Sequence, residues 1–90
     1  MRLSKEKYNI AILMLKKYNY NKINKSREAE IVEKALLLVD NDSNYIFKEE
    51  FCKKRNKWDI MLELGLSDST YKRRRKEIIY AVNNELSKLS

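Results

Sequence analysis

Ninety residues carry 20 Lys and Arg against 13 Asp and Glu, a net charge of +7, with 43 % hydrophobic residues, one glycine, no proline, one cysteine and no histidine. That composition excludes a glycine-rich phosphate loop, an intramolecular disulfide and a histidine-containing zinc site, and it disfavours an all-β fold with its many Gly turns. It predicts a single all-α domain over 1–90, a bundle of four or five helices joined by short loops, in a reduced, cytoplasmic setting.

Ser4 can cap a first helix reaching about Tyr18, with Tyr8, Ala11, Ile12, Leu15 and Tyr18 on one face. The apolar run Ile10 to Leu15 is too short for a signal h-region, and no run approaches the ~20 residues of a membrane span. Asn19 to Lys25 is Asn-rich and aperiodic, which predicts a loop. Ser26 starts a second helix with Ala29, Val32, Ala35, Leu36 and Val39 on its apolar face, and Asp40-Asn41-Asp42-Ser43 is expected to end it. Asn44 to Arg55 reads as a helix with Phe47 and Phe51 four apart, although Tyr45-Ile46-Phe47 could also open a strand.

Lys57 to Leu64 predicts a helix apolar over much of its circumference, through Trp58, Ile60, Met61, Leu62 and Leu64, and therefore central to the core. Gly65 then stops it, being the one residue that enters a left-handed conformation without steric cost. Ser67 can cap a last helix running from Asp68 to about Ser87, with Asp68 at the positive end of its dipole. Helix, glycine turn and Ser-capped helix, at about 57–80, outline a helix-turn-helix. The last helix changes character halfway, from the basic run Lys72-Arg73-Arg74-Arg75-Lys76 to the apolar Ile78, Ile79, Ala81, Val82 and Leu86. Ile79, Val82, Leu86 and Leu89 could form a short dimer seam, but two heptads suit packing on the first helix better, so a monomer or a weak homodimer is expected.

Charge is concentrated on this motif. Residues 1–52 hold ten basic and eight acidic side chains, 53–76 nine and three, and 77–90 one and two. Such a local excess is the footprint of a polyanion binder. Ser69, Lys72, Arg73 and Lys76 share a helical face opposite Tyr71, Ile78 and Val82, so they are the candidates for reading a major groove, while Arg55 and Lys57 are placed for phosphates. The plainer alternative is a solvated basic face on an ordinary bundle helix. Trp58 and the tyrosines are expected in the core or at its rim, and Cys52 as a small buried hydrophobe. No residue pattern suggests catalysis, and no cofactor or metal is expected.

Trp58-x-Ile60-x-x-x-Leu64-Gly65-Leu66-Ser67-x-x-Thr70-Tyr71-x-Arg73, followed by Lys76-Glu77-Ile78-Ile79-Tyr80-Ala81-Val82, resembles the ArpU- and RinA-type phage transcriptional activators. These are small helical proteins with a motif like region 4 of sigma factors. The resemblance covers the last third of the chain and implies that Ser69, Thr70, Lys72, Arg73 and Lys76 face duplex DNA. It implies a nucleoid-associated phage or prophage regulator in contact with host RNA polymerase. The family usually has an apolar residue where this chain has Arg74, so an Arg stem must cover that surface. The competing expectations are a small phage module that docks on a host protein through its basic face, and a binder of structured RNA.

Overall fold

The computed structural model describes residues 4–88, which fold as α1 (Lys5–Lys16), α2 (Tyr18–Ile23), α3 (Arg27–Leu36), α4 (Asn41–Ile46), a π-helical segment (Phe47–Cys52), α5 (Lys57–Leu64) and α6 (Asp68–Ser87). The fold is all-α, with no strand among the described residues. Short polar side chains set the starts of four helices. Ser4, Asp40, Asn56 and Ser67 accept the free backbone N–H groups of Lys7, Ser43, Trp58 and Thr70 at 3.2, 2.8, 2.8 and 3.3 Å.

Two expectations about local structure are corrected and a third is refined. Asn19 to Lys25 is not all loop: α2 occupies most of it, and because α2 buries no residue it leaves no periodic pattern to read. Its end is closed by Lys25 at φ +52, with the Ser26 N–H reaching back to the Asn21 carbonyl at 2.9 Å. Asp40 does not terminate the second helix, which stops at Leu36, but caps the next one. Helix does cover most of Asn44 to Arg55, yet its second half has π geometry, with the Lys53 N–H on the Lys48 carbonyl at 3.0 Å.

α6 lies at the centre and packs against α1, α3 and α4. Leu15, Val32, Ile46, Phe47, Ile60, Tyr71, Ile78, Ile79 and Val82 are sealed from solvent around it. Ile79 and Val82 are thus used inside the chain, with Leu86 partly buried beside them; Leu89 lies outside the described residues. The ring of Phe47 meets Tyr18 edge-on at 5.3 Å and stacks near Phe51 at 6.2 Å. Cys52 is half-buried.

α5 departs most from expectation. Ile60 and Met61 are buried and Leu64 packs partly buried against the core, whereas Trp58 is 60 % and Leu62 85 % exposed. Eight residues make little more than two turns, so a single contact stripe satisfies the helix and its other apolar side chains stay in water. Gly65 ends it at φ +68, with the Gly65 N–H on the Leu62 carbonyl at 3.3 Å and the Leu66 N–H on the Met61 carbonyl at 3.0 Å, a Schellman pair. A Cβ built on Gly65 meets nothing within 4 Å, so any penalty for a side chain there is purely conformational. Gly65→Ala is expected to lower the unfolding free energy by about 1–2 kcal/mol, and Gly65→Asn by less. Urea unfolding of the three proteins measures the difference; equal midpoints for Gly65→Ala and the parent would refute it.

Candidate nucleic-acid interface

The Gly65 turn delivers the chain to Ser67, whose hydroxyl caps α6 and also lies 3.0 Å from the Thr70 hydroxyl and 3.3 Å from that of Ser69. Thr70 is accordingly half-buried and occupied with the cap, while Ser69 is exposed. One turn on, the five consecutive cations begin, and their surroundings differ residue by residue.

Arg73 and Lys76 are exposed and, among the described residues, make no ion pair. Lys72 is exposed but lies 3.1 Å from the Asp68 carboxylate, which it shares with Lys57 at 3.3 Å. The Lys57 ammonium also sits 4.8 Å over the Trp58 ring. Arg74 and Arg75 turn toward the body of the fold. Arg74 reaches Asp40 at 2.6 Å and Glu77 at 3.6 Å, and Arg75 donates to Glu50 at 2.8 Å with its guanidinium 5.1 Å above the Phe51 ring. The same Glu50 accepts the hydroxyl of buried Tyr71. The buried Ser43 hydroxyl donates to the Arg74 carbonyl at 3.3 Å and so fixes α4 against the middle of α6.

Arg55 is held from two sides, by Glu49 at 2.7 Å and Glu63 at 2.9 Å, and Glu63 also takes the Tyr45 hydroxyl. Glu49 is itself buried and is reached at 2.9 Å by Lys53. Arg55 therefore braces α5 against the π segment. Lys57, Lys72 and Arg75 line one cleft of about 330 Å³ with Glu50 and Tyr71, and Asp68 and Glu50 offset two of the three positive charges.

Of the seven predicted contact residues, Ser69, Lys72, Arg73 and Lys76 thus form one exposed face of α6, and Lys57 borders it across Asp68. Thr70 and Arg55 are engaged in structure. Sequence reasoning missed the part played by Asp68 as a shared anchor for two lysines. Its i, i+4 spacing to Lys72 was visible, whereas its reach to Lys57 across the turn was not. Among the described residues no group of His, Cys, Asp and Glu could hold a metal ion, and no helix is long and apolar enough to cross a membrane.

No family model, curated protein or solved structure matches the chain, so the geometry stands on its own.

The ion-pair web sets an acid limit on the fold. Four carboxyls are held below their ordinary range: Asp40 by the Ser43 backbone N–H and then Arg74, Glu49 by Lys53 and then Arg55, Glu63 by the Tyr45 hydroxyl and then Arg55, and Asp68 by Lys72 and then Lys57. A carboxyl depressed on folding contributes stability that is fully present above its unfolded pKa and is lost as pH falls through its folded value. Stability is expected to be level above about pH 5.5 and to decline steadily below about pH 4.5. Urea midpoints from pH 7 to pH 3 measure the decline, and Asp68→Asn, which removes one of the four, should lessen it; identical midpoints across the range would contradict the assignment.

Proposed function

We propose that the protein binds duplex DNA by placing the N-terminal half of α6 in the major groove. The observation that carries this reading is the sorting of the basic run: Arg73 and Lys76 project unpaired from the exposed face, next to Ser69 and Lys72, while Arg74 and Arg75 are retained by Asp40 and Glu50. Among the described residues no carboxylate neutralises Arg73 or Lys76, so this face of α6 keeps its positive charge for a polyanion. On DNA, Arg73 and Lys76 can donate to guanine O6 and N7 or to phosphates, and Ser69 to either base type or to phosphate. Lys57 and Lys72 share one carboxylate, so their two charges leave a net cation to pair with a phosphate. Arg55 acts behind the interface by fixing α5.

The resemblance to the ArpU- and RinA-type activators extends the proposal from binding to regulation of phage or prophage genes in the bacterial cytoplasm, at the nucleoid. Contact with host RNA polymerase belongs to the same proposal. The exposed Trp58 and Leu62, one helical turn apart on α5, supply an apolar surface for such a contact and favour a second reading, a module that docks on a host protein.

Binding titrations at several salt concentrations test the first reading. With Lys57, Lys72, Arg73 and Lys76 engaged, log K should fall against log salt with a slope of about −3 to −4. Arg73→Ala plus Lys76→Ala should weaken binding at least tenfold and flatten the slope by about 2, whereas Lys34→Ala, an exposed cation on α3, should leave both unchanged. Unaltered binding by the double variant sinks the assignment. Trp58 is the chain's one tryptophan and is exposed, so its fluorescence provides a probe of either partner. If protein docking is the principal activity, Trp58→Ala plus Leu62→Ala abolishes capture of a host protein from nuclease-treated lysate, and the Arg73 and Lys76 variant does not.

A further inference from the structure

The inner face of α1 buries Ala11, Met14 and Leu15. Its outer face carries a second, separate pattern. Glu6, Ile10, Leu13 and Lys17 follow one another at intervals of four, three and four residues, so they form a single line along the helix. Ile10 is 44 % and Leu13 51 % exposed. Beside them a groove of about 400 Å³ lies among α1, α2, α3 and the C-terminal end of α6, with Met14, Leu86 and the acidic Glu28 in its lining. Among the described residues neither Glu6 nor Lys17 has an ion-pair partner.

We propose that this line is a homodimer contact, occupied by α1 of a second copy running antiparallel to the first. The charge pattern selects that occupant. The midpoint between Ile10 and Leu13 is also the midpoint between Glu6 and Lys17, so a two-fold axis through it brings Ile10 of one copy against Leu13 of the other. The same axis sets Glu6 of each copy against Lys17 of its neighbour, and both ends of the contact close with opposite charges. Of the flanking cations, Lys7 and Lys16 stand on opposite sides of the line and do not meet across the axis, whereas Lys5 lies on the Lys16 side, and its approach to the neighbour's Lys16 keeps the contact weak. The contact involves one 12-residue helix and the edge of α6, which places it among small, weak interfaces.

The test needs no DNA and is independent of the proposed function. Sedimentation equilibrium on the full chain, from about 10 µM to about 1 mM, should show reversible dimerisation of the parent. Glu6→Lys alone and Lys17→Glu alone each set like charges at both ends and should weaken self-association about tenfold. An equimolar mixture of the two single variants should regain the parent's affinity, because each end then again joins an acid to a base. Leu13→Ser, at an exposed site, should also reduce association while leaving the helical circular dichroism unchanged. A parent that stays monomeric throughout, single variants that associate like the parent, or a mixture no stronger than its components would each overturn the proposal.

Discussion

Lys72 to Lys76 occupy more than a full turn of α6, so no rotation of the helix can point all five cations to solvent while Tyr71 and Ile78 are buried. Some of them must lie against the body of the fold, and a cation taken out of water is tolerated only where an acid meets it. Asp40 and Glu50 supply those acids. Arg75 shows how closely the arrangement is fitted: its stem and guanidinium cover the Phe51 ring, its Nε donates to Glu50, and Glu50 completes its bonding with the Tyr71 hydroxyl. Lysine could not do the same work, since a point charge on a flexible stem neither stacks on the ring nor donates from a planar fork. Buried Tyr71, Ile78, Ile79 and Val82 set the phase of α6, the two arginine contacts complete it, and Arg73 and Lys76 are left on the free face.

The π segment is what brings Glu49 and Glu50 within reach of their partners. Phe47 and Phe51 both remain in the core across Phe47–Cys52, while the two residues between Lys48 and Phe51 diverge. Glu49 turns to Lys53 and Arg55, and Glu50 to Tyr71 and Arg75. One stretch of helix thereby ties α5 on one side and α6 on the other. The wider turn of π geometry changes side-chain register relative to α-helix, and such departures gather where a regular helix would aim its side chains wrongly. Lys54 at φ +59 then releases the chain toward α5.

What could be read in the sequence was what local chemistry dictates. Gly65 and Ser67 announce the turn and the cap because few residues perform either task, and the two halves of α6 differ in composition as well as in burial. The π segment, α2 and the exposed apolar face of α5 gave no comparable signal. Lys25 and Lys54 adopt the left-handed conformation that Gly65 adopts, yet a lysine carries no mark of it. α2 has no buried side chain and hence no period. The apolar neighbours of Trp58 and Leu62 point both to the core, but a two-turn helix can bury only one stripe, and which stripe depends on where α5 meets the rest of the fold. Asp40 was visible as a helix boundary; that it begins a helix, rather than ends one, depends on the Ser43 amide it accepts.

The charge excess of residues 53–76 overstates the field that this region presents. Lys53 and Arg55 are met by Glu49, Arg74 by Asp40 and Arg75 by Glu50, and all three acids come from the first 52 residues. Folding therefore imports negative charge into the stretch that looked most basic. What survives is narrower: Arg73, Lys76 and Lys54 without carboxylates, and Lys57 and Lys72 dividing Asp68 between them. Charge neutralised by a neighbour contributes little at a distance beyond a Debye length, about 8–10 Å at moderate salt, whereas unpaired cations on one convex face keep their field directed outward. The basic run is thus two functions interleaved at single-residue spacing, Arg74 and Arg75 securing the helix and Arg73 and Lys76 projecting from it.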